Sequence, residues 1–328
     1  MWPRLPAVLP RGNKTVDRDL LATMPVPNRS EDTAALTRVI SLAFLVFAPL
    51  AWASNIVVGR ALSGVTDPDL LNFLRWAGTA LVLMPFVLGN AVRRRHEIGK
   101  AFWKLAAAGL VGMGVFQWLL YLAVSHTSAT HVASALALSP IVALLLKEQT
   151  GKHSRWLWGG FAVSLAGVAL VQADAIMVND GRTSLFGLAI GLLAALLWGS
   201  YGVLVSRLPK TLPPFTALWV MSLVALGFSV WPVMLSGSVE QIQTLPPMAW
   251  VAIAHLVIVV SIAGLAAYNT GTRNMGAEVG AHFIHLTSPF AVVMGALFLS
   301  ETVAPIDMVG FALTLTGLVI VYRQAGQS

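Results

Sequence analysis

The chain has 328 residues, of which 57% are hydrophobic and only 11% are charged, a composition outside the range of soluble globular domains. The formal net charge is +7, and the absence of cysteine excludes disulfide bonds and thiolate metal sites. Apolar stretches of about 20 residues, the length that crosses the hydrocarbon core of a bilayer, recur along the sequence and predict a membrane protein.

The first 37 residues are polar and contain five prolines. Because they lack the apolar core of a signal peptide, residues 1–37 are expected to form a disordered cytoplasmic tail. Ten apolar spans follow, and we expect each to be a helix, since backbone groups in lipid must bond within their own segment. The spans cover residues 39–61, 70–90, 102–124, 129–146, 156–173, 185–207, 215–235, 248–270, 279–299 and 306–322. The predicted fold class is an all-α integral membrane protein with ten transmembrane helices.

Lysine and arginine residues concentrate at alternate ends of these spans. All but three of the 21 fall on one side when the loops are counted alternately, the exceptions being Arg60, Arg75 and Arg182. Since positively charged loops remain in the cytoplasm, the pattern predicts a multi-pass protein with both termini cytoplasmic. The same pattern accounts for the net positive charge, so we expect no nucleic-acid partner.

The sequence contains an internal repeat. Residues 160–171 read GFAVSLAGVALV and residues 310–321 read GFALTLTGLVIV, with six of twelve positions identical. Further pairs stand 146 to 149 residues apart, namely Trp52 with Trp198, Tyr121 with Tyr268, and Ser139-Pro140 with Ser288-Pro289. The matches predict two similar units of five spans each, residues 38–174 and 184–323.

An odd number of spans per unit makes the second unit enter the membrane from the opposite side. Two such units are related by a pseudo-two-fold axis in the membrane plane, which is the arrangement of many secondary transporters. Similar halves of opposite orientation have two nearly equivalent packings, and exchange between them exposes a midplane cavity first to one side and then to the other. The sequence therefore predicts inverted repeats that work by alternating access.

An ordered set of short motifs recurs in the two halves. It comprises Trp52-Ala-Ser-Asn55 in the first span, Leu74-Arg75-Trp76 in the second, a proline in the fourth and ninth, and Glu148 and Glu301 after these prolines. With this set the chain resembles the EamA type of the drug/metabolite transporter (DMT) superfamily, over residues 37 to 323. The resemblance implies two inverted five-helix bundles and a transporter of small metabolites, often an exporter of amino acids, in the bacterial inner (plasma) membrane.

Aromatic and polar side chains within the spans are the candidates for a substrate site. Trp52 and Trp198 lie at mid-membrane rather than at the headgroup level where tryptophan usually sits, while Tyr121 and Tyr268 are expected at opposite mouths of the pathway as gates. Core packing is the alternative for the two tryptophans, and anchoring at the membrane interface is the alternative for the two tyrosines. The predicted substrate-binding residues are Trp52, Asn55, Gln117, Trp118, Tyr121, Ser134, Trp198, Tyr201, Tyr268, His282 and His285.

Two prolines, Pro140 and Pro289, stand within the fourth and ninth spans. Each is expected to remove a helical hydrogen bond at mid-span and to kink or loosen its helix. Backbone groups freed at that depth are tolerated where they face protein or a watery cavity. We therefore predict hinges at the level of the substrate, with a kink that serves packing alone as the alternative.

Histidine is the residue type in these spans whose proton moves near neutral pH. His255, His282 and His285 are therefore the candidates for proton coupling, with a hydrogen-bonded core histidine as the alternative. No Asp or Glu lies in the middle of a span, which argues against carboxylate-based coupling. No carboxylate or cysteine completes a metal site and nucleotide-binding motifs are missing, so we expect no metal, no cofactor and no direct use of ATP.

Arg75 stands inside the outer end of the second span. Its guanidinium is expected to snorkel toward the headgroups or to pair with Asp67 or Asp69. We therefore favour a structural anchor over a clamp for a substrate carboxylate. Since it is the one arginine at depth, a polyanion such as a sugar phosphate is disfavoured as cargo.

The function that the sequence favours is a secondary transporter that exports small amphipathic metabolites such as amino acids. A multidrug or quaternary-cation exporter is the first alternative, because aromatic side chains also bind such cations. An intramembrane enzyme is disfavoured, since a serine elbow, a pair of membrane aspartates and an HExxH zinc pair are all absent. The expected partners are a small-molecule substrate and the lipid bilayer, and the sequence is compatible with both a monomer and a homodimer.

Overall fold

The computed structural model describes residues 29–146, 155–178, 184–209, 211–275, 283–284 and 286–325, and all regular structure in these ranges is helical. We number the helices α1 to α11, with α3 and α9 each built from three continuous segments. They are α1 (Arg29–Ala61), α2 (Pro68–Arg93), α3 (Arg95–Gly109, Leu110–Val115 and Phe116–His126), α4 (Ala129–Leu136), α5 (Ser139–Leu146), α6 (Arg155–Val178), α7 (Leu185–Ser206), α8 (Pro214–Ser236), α9 (Pro247–His255, Leu256–Ala263 and Gly264–Met275), α10 (Thr287–Leu299) and α11 (Pro305–Ala325).

Each of the ten predicted spans contains at least one helix. Helices α4 and α5 together occupy the fourth span, and α10 covers residues 287–299 of the ninth. Six of the helices, α1, α2, α3, α7, α8 and α9, are long and apolar enough to cross a bilayer. Large apolar side chains are exposed on their outer surfaces, including Phe86 and Trp103, which are 77% and 81% exposed. Such a surface is favourable against lipid tails and unfavourable against water.

The first helix begins earlier than the sequence predicts. Residues 29–37 are helical, although they belong to the segment 1–37 that was expected to be a disordered tail. Residues 1–28 lie outside the described residues.

The repeated apolar segments pack against each other as α6 and α11. A Cβ atom built on Gly167 would lie 2.4 Å from the carbonyl oxygen of Gly310, and one built on Gly317 would lie 2.4 Å from that of Gly160. The two helices therefore run antiparallel, with their backbones in contact at two glycine pairs. Since Gly160 corresponds to Gly310 and Gly167 to Gly317 in the repeat, the contact has the two-fold symmetry expected for inverted units.

The core joins the two halves of the chain. One apolar cluster packs Leu120 of α3 and Val132 of α4 against Ala194 of α7 and Ala291 of α10. A second packs helices α2 and α3 against α8, where Met221 is buried. Because each cluster draws residues from both halves, the repeats share their cores and meet along an extensive contact.

Two helices contain π-helical segments at equivalent positions of the repeat. Leu110–Val115 interrupts α3 and Leu256–Ala263 interrupts α9. A π-helical turn leaves carbonyl groups without their usual α-helical donors, and such turns are frequent at functional sites. Side chains bind here: the indole Nε1 of Trp76 donates to the Met113 carbonyl at 2.8 Å, and Ser261 Oγ donates to the first carbonyl of the second segment at 3.0 Å.

Both predicted hinge prolines stand at the start of a helical segment. The fourth span is broken between α4 and α5, and Pro140 is the second residue of α5, while Pro289 is the third residue of α10. Pro140 has no N–H to donate to the Leu136 carbonyl, which accepts from the Ser139 hydroxyl at 2.7 Å instead. A turn at residues 137–138 interrupts the helix directly before this proline, and the kink and the hinge role of both prolines stay predictions.

Candidate functional site

Five aromatic side chains from both halves of the chain form an aromatic cluster. Trp198 of α7 stacks on Phe116 at 4.8 Å and on Tyr201 at 5.0 Å between ring centroids. Trp52 of α1 meets the edge of Trp198 at 6.4 Å and contacts Tyr268 of α9 at 5.3 Å. The structure thus brings together four predicted site residues and adds Phe116, which the sequence analysis did not single out.

The position of Tyr268 differs from the expected gate. Its ring lies against Trp52 within the aromatic cluster, whereas Tyr121 is buried, with 2% of its surface exposed. The two tyrosines are therefore part of two adjoining clusters, and the prediction that they stand at opposite mouths of a pathway is wrong. Helices α1 and α9 approach closely at Gly264 and Gly271, where added Cβ atoms would lie 3.2 Å from Trp52 and 2.6 Å from Leu45. Tyr268 lies between these glycines on α9.

A polar network lies next to the aromatic cluster and is centred on Arg75. Its Nη1 donates to Asn55 Oδ1 at 2.6 Å and to the Tyr121 hydroxyl at 2.9 Å, and its Nε donates to Ser261 Oγ at 3.0 Å. The Tyr121 hydroxyl in turn donates to Asn55 Oδ1 at 3.0 Å, while the amides of Asn55 and Gln117 exchange two hydrogen bonds of 3.4 Å. We call Arg75, Asn55, Gln117, Tyr121 and Ser261 the Arg75 network.

The predicted partners of Arg75 are wrong. Asp67 accepts a hydrogen bond from Gln241 at 2.7 Å, and Asp69 accepts one from the indole of Trp118 at 2.5 Å. Arg75 instead extends into the bundle, where 5% of its surface is exposed, and its guanidinium lies 4.9 Å from the centroid of the Trp76 ring. The side chain therefore does not snorkel to the membrane surface.

The aromatic cluster and the Arg75 network are one helical turn apart on two helices. On α1, Trp52 precedes Asn55 by three residues, which is about 4.5 Å along the axis. On α9, Gly264 follows Ser261 by the same spacing, and a Cβ atom at Gly264 would lie only 3.2 Å from Trp52 Nε1. A larger residue at Gly264 would crowd the indole, so this glycine lets α9 approach the aromatic cluster.

Two other predicted site residues lie outside both groups. Trp118 is fixed by its hydrogen bond to Asp69 and packs edge-on against Phe228 at 6.1 Å. Ser134 is fully buried and donates a hydrogen bond to the His131 carbonyl within α4 at 2.8 Å. These hydrogen bonds and the ring contact are typical of side chains that pack within a helix bundle.

Among the histidine candidates, His255 lies beside the site. Its Nε2 is 2.8 Å from Ser54 Oγ, and Ser54 also donates to the Ala51 carbonyl at 2.7 Å. Ser54 stands between Trp52 and Asn55 on α1, so His255 contacts the helix that carries both clusters. His282 and His285 lie outside the described residues, and among the described residues no group of histidine and carboxylate side chains is arranged to hold a metal ion.

Glu301 connects the two halves at one end of the bundle, in an arrangement that we call the Glu301 clasp. Its carboxylate accepts from the backbone N–H groups of Ala129 at 2.9 Å and Thr130 at 3.2 Å, and from the Thr130 hydroxyl at 3.0 Å. Arg60 at the end of α1 lies 4.0 Å away. A carboxylate at the N-terminus of α4 satisfies free N–H groups and interacts favourably with the helix dipole.

Comparison with known proteins identifies the family. The profile of the EamA-like transporter family matches residues 39–172 and 185–323. The chain belongs to this family. It is therefore an all-α integral membrane transporter whose ten transmembrane helices form two inverted five-helix repeats, and the resemblance to the EamA type of the DMT superfamily is confirmed.

Several relatives cover most of the chain. A protein of Streptantibioticus cattleyicolor named a probable terminal-alkyne amino-acid exporter is 25% identical over 85% of this chain and 92% of its own length. The uncharacterized inner membrane transporter YedA of Escherichia coli K12 is 23% identical over 83% of this chain and 87% of its own length. A crystal structure with a TM-score of 0.55 and 15% identity covers 89% of this chain and 98% of that one, which supports the fold. The relatives are named as transporters, in agreement with the prediction that the chain is not an enzyme.

Proposed function

We propose that this EamA-like transporter is a secondary transporter that exports small amphipathic metabolites such as amino acids. The observation that carries the proposal is the position of the aromatic cluster beside the Arg75 network, where helices of both repeats meet. Aromatic faces favour the apolar body of a solute, and the neighbouring amide, hydroxyl and guanidinium groups suit a polar end. A relative of 25% identity is named for amino-acid export, which supports the same class of solute.

Transport would proceed by alternating access between the two repeats. Trp52 and Asn55 belong to the first repeat, whereas Tyr268 and Ser261 belong to the second, so the site lies across the moving interface. Inverted repeats of many secondary transporters move largely as rigid bodies around such a site. Pro140 and Pro289, at the starts of α5 and α10, are the proposed hinges, and His255 is the proposed carrier of a coupled proton.

The proposed orientation has both termini in the cytoplasm of a bacterium and the protein in the inner membrane. The distribution of lysine and arginine supports it, and the Escherichia coli relative is named an inner membrane transporter. The Glu301 clasp then lies at the outer face. Because the chain has no cysteine, Ser63→Cys in the turn between α1 and α2 should react with an impermeant thiol reagent from outside alone; reaction from the cytoplasmic side alone would reverse the orientation.

Counterflow in proteoliposomes tests the function. Vesicles loaded with an unlabelled solute are diluted into labelled solute, and the panel holds amino acids, purines, a sugar phosphate and a lipophilic cation. We expect transient accumulation of one or more apolar amino acids, and we expect Trp198→Ala to reduce it at least about tenfold, since a buried aromatic contact contributes more than about 1.4 kcal/mol. Trp103→Ala, which alters an exposed tryptophan, is the matched control.

The outcomes of this panel separate the candidate functions. Accumulation of the lipophilic cation alone would identify a cation exporter and contradict the proposal. Equal losses in Trp198→Ala and Trp103→Ala would show that the aromatic cluster is not the solute site. Absence of counterflow for every member of the panel would overturn the proposed class of solute.

A further inference from the structure

We propose that the guanidinium of Arg75 binds the carboxylate of the transported solute, so that the substrates are monocarboxylates with an apolar body, amino acids among them. This inference rests on the proposed function and names the chemical class of substrate that the site selects. The sequence favours a structural anchor in which Arg75 pairs with Asp67 or Asp69. In the structure these two carboxylates bond to other residues, so we replace the anchor with a binding role.

The positive charge of Arg75 is buried without an acidic partner among the described residues. The residue is buried in a membrane-spanning helix, and it forms no ion pair with any described residue. Asp67 and Asp69, the two acidic residues nearest in sequence, are bound by Gln241 and Trp118. A buried charge is costly unless it is paired, and an unpaired ionisable residue within a membrane span is a candidate for binding a solute.

The guanidinium of Arg75 uses only two of its three nitrogens in hydrogen bonds to the described residues. Arginine has five N–H groups in a rigid planar fork. Nε and Nη1 donate to Ser261, Asn55 and Tyr121, whereas the two N–H groups of Nη2 donate to none of the described residues. All three acceptors are neutral, so they fix the orientation of the fork and leave its positive charge available to a carboxylate.

The charge of Arg75 lies about one helical turn from the aromatic cluster. Asn55 and Trp52 are separated by one turn of α1, and Ser261 and Gly264 by one turn of α9, which places the rings about 5 Å along the axes from the guanidinium. Trp52 lies against Gly264. Each of the two helices therefore carries a residue of the Arg75 network and, one turn away, a position at the aromatic cluster. A carboxylate at Arg75 would therefore leave the apolar body of the solute on the indole of Trp52, as in an aromatic or aliphatic amino acid.

The hydrogen bonds of Arg75 join the two repeats, which connects solute binding to their movement. Arg75 donates to Asn55 and Tyr121 in the first repeat and to Ser261 in the second. A carboxylate bound at Nη2 would contact a side chain that already joins both repeats. The charge of the solute can thereby change the relative stability of the two arrangements.

Competition with labelled phenylalanine in counterflow tests the inference on the unmodified protein. The competitors share one apolar body and differ in the polar end: phenylalanine, 3-phenylpropionate, phenylalanine amide and phenethylamine. We expect the two carboxylates to compete on the order of 10- to 100-fold better than the amide and the amine, the range for a hydrogen bond to a charged group. Equal competition by all four compounds would overturn the inference and leave the proposed transport of amphipathic solutes standing.

Substitutions then assign the selectivity to Arg75. We expect Arg75→Gln to bring the ratio between phenylalanine and its amide close to one, and Arg75→Lys to give an intermediate ratio, because lysine keeps the charge without the fork. Arg93→Gln, an exposed arginine at the other end of α2, should keep the wild-type ratio. An unchanged ratio in Arg75→Gln, or equal loss of both solutes, would show a structural anchor and overturn the inference.

Three remaining outcomes separate failure of the inference from failure of the proposed function. If Arg75→Gln does not fold, the competition series on the unmodified protein decides the question by itself. If the unmodified protein exchanges only solutes without a carboxylate, the inference fails while transport stands. If it exchanges no member of the panel, the proposed function fails and the inference fails with it.

Discussion

The antiparallel contact between α6 and α11 should be intolerant of a single methyl group. A Cβ atom at Gly167 would lie 2.4 Å from the Gly310 carbonyl oxygen, whereas real Cβ atoms essentially never approach closer than 3.0 Å. Because the atom in the way is backbone, Gly167→Ala must separate the helices by about 0.6 Å, the difference between these two distances. Gly317→Ala creates the same 2.4 Å conflict with Gly160 at the symmetry-related position.

The cost of this separation can be estimated from packing. A gap of roughly 0.5–1 Å removes about a quarter to a half of the dispersion energy of each contact on the interface, and overpacking of this kind costs about 1–3 kcal/mol. Gly159 in the same helix has nothing within 4 Å of an added Cβ, so Gly159→Ala should stabilise the helix by about 0.5–1 kcal/mol. Gly167→Ala makes the same conformational gain, which cancels between the two alanine variants of α6, so they should differ by about 1–3 kcal/mol in the free energy of unfolding.

Unfolding in mixed detergent micelles with increasing denaturing detergent measures this difference. We expect Gly167→Ala and Gly317→Ala to lower the free energy of unfolding by similar amounts, since the repeat gives them equivalent surroundings. Gly159→Ala should be unchanged or more stable. If Gly167→Ala were as stable as Gly159→Ala, the close contact between the two repeated segments would be wrong.

Two further predictions concern the Glu301 clasp and His255. Glu301→Gln should lower the free energy of unfolding by about 1–2 kcal/mol, because the N-terminus of α4 loses an ionic acceptor. Glu240→Gln, at an exposed position, is the control and should have no effect. Equal changes in the two variants would contradict the clasp. His255→Gln should abolish the stimulation of uptake by a pH gradient while counterflow persists, since counterflow requires no net proton movement. His126→Gln, which alters an exposed histidine, should retain the stimulation, and a wild-type response in His255→Gln would exclude proton coupling through that residue.

The main features of the fold could be predicted from the sequence because they have local or periodic signatures. The length of each apolar stretch predicts a transmembrane helix, and the fold class is confirmed. The match between residues 160–171 and 310–321 predicted equivalent helices, and the structure packs them together as α6 and α11. The offset between Trp52 and Trp198 likewise predicted that these rings occupy related positions, and they meet at 6.4 Å.

Other features depend on contacts between residues distant in sequence. Arg75 is 186 residues from Ser261 and Glu301 is 172 from Ala129, so neither partnership leaves a local pattern. The nearby acidic residues at 67 and 69 suggested a partner for Arg75, but their own hydrogen bonds across the bundle take precedence. The choice between α-helical and π-helical turns in α3 and α9 does not alter the apolar composition of a span, so it too was beyond prediction.

Alternating access as proposed requires the two repeats to separate at the Glu301 clasp, which joins the N-terminus of α4 in the first repeat to Glu301 in the second. Ala129 of α4 and Gly295 of α10 come from different repeats, and a Cβ atom at Gly295 would lie 3.8 Å from that of Ala129, the usual separation in a disulfide. Since the chain has no cysteine, Ala129→Cys with Gly295→Cys introduces one bridge. A Cβ atom at Gly295 also lies 3.0 Å from Glu301 Oε2, so each variant is compared with its own reduced form. Counterflow by the double variant should stop on oxidation and return on reduction, while oxidation should change neither single variant; unchanged counterflow by the fully oxidised double variant would contradict alternating access at this face.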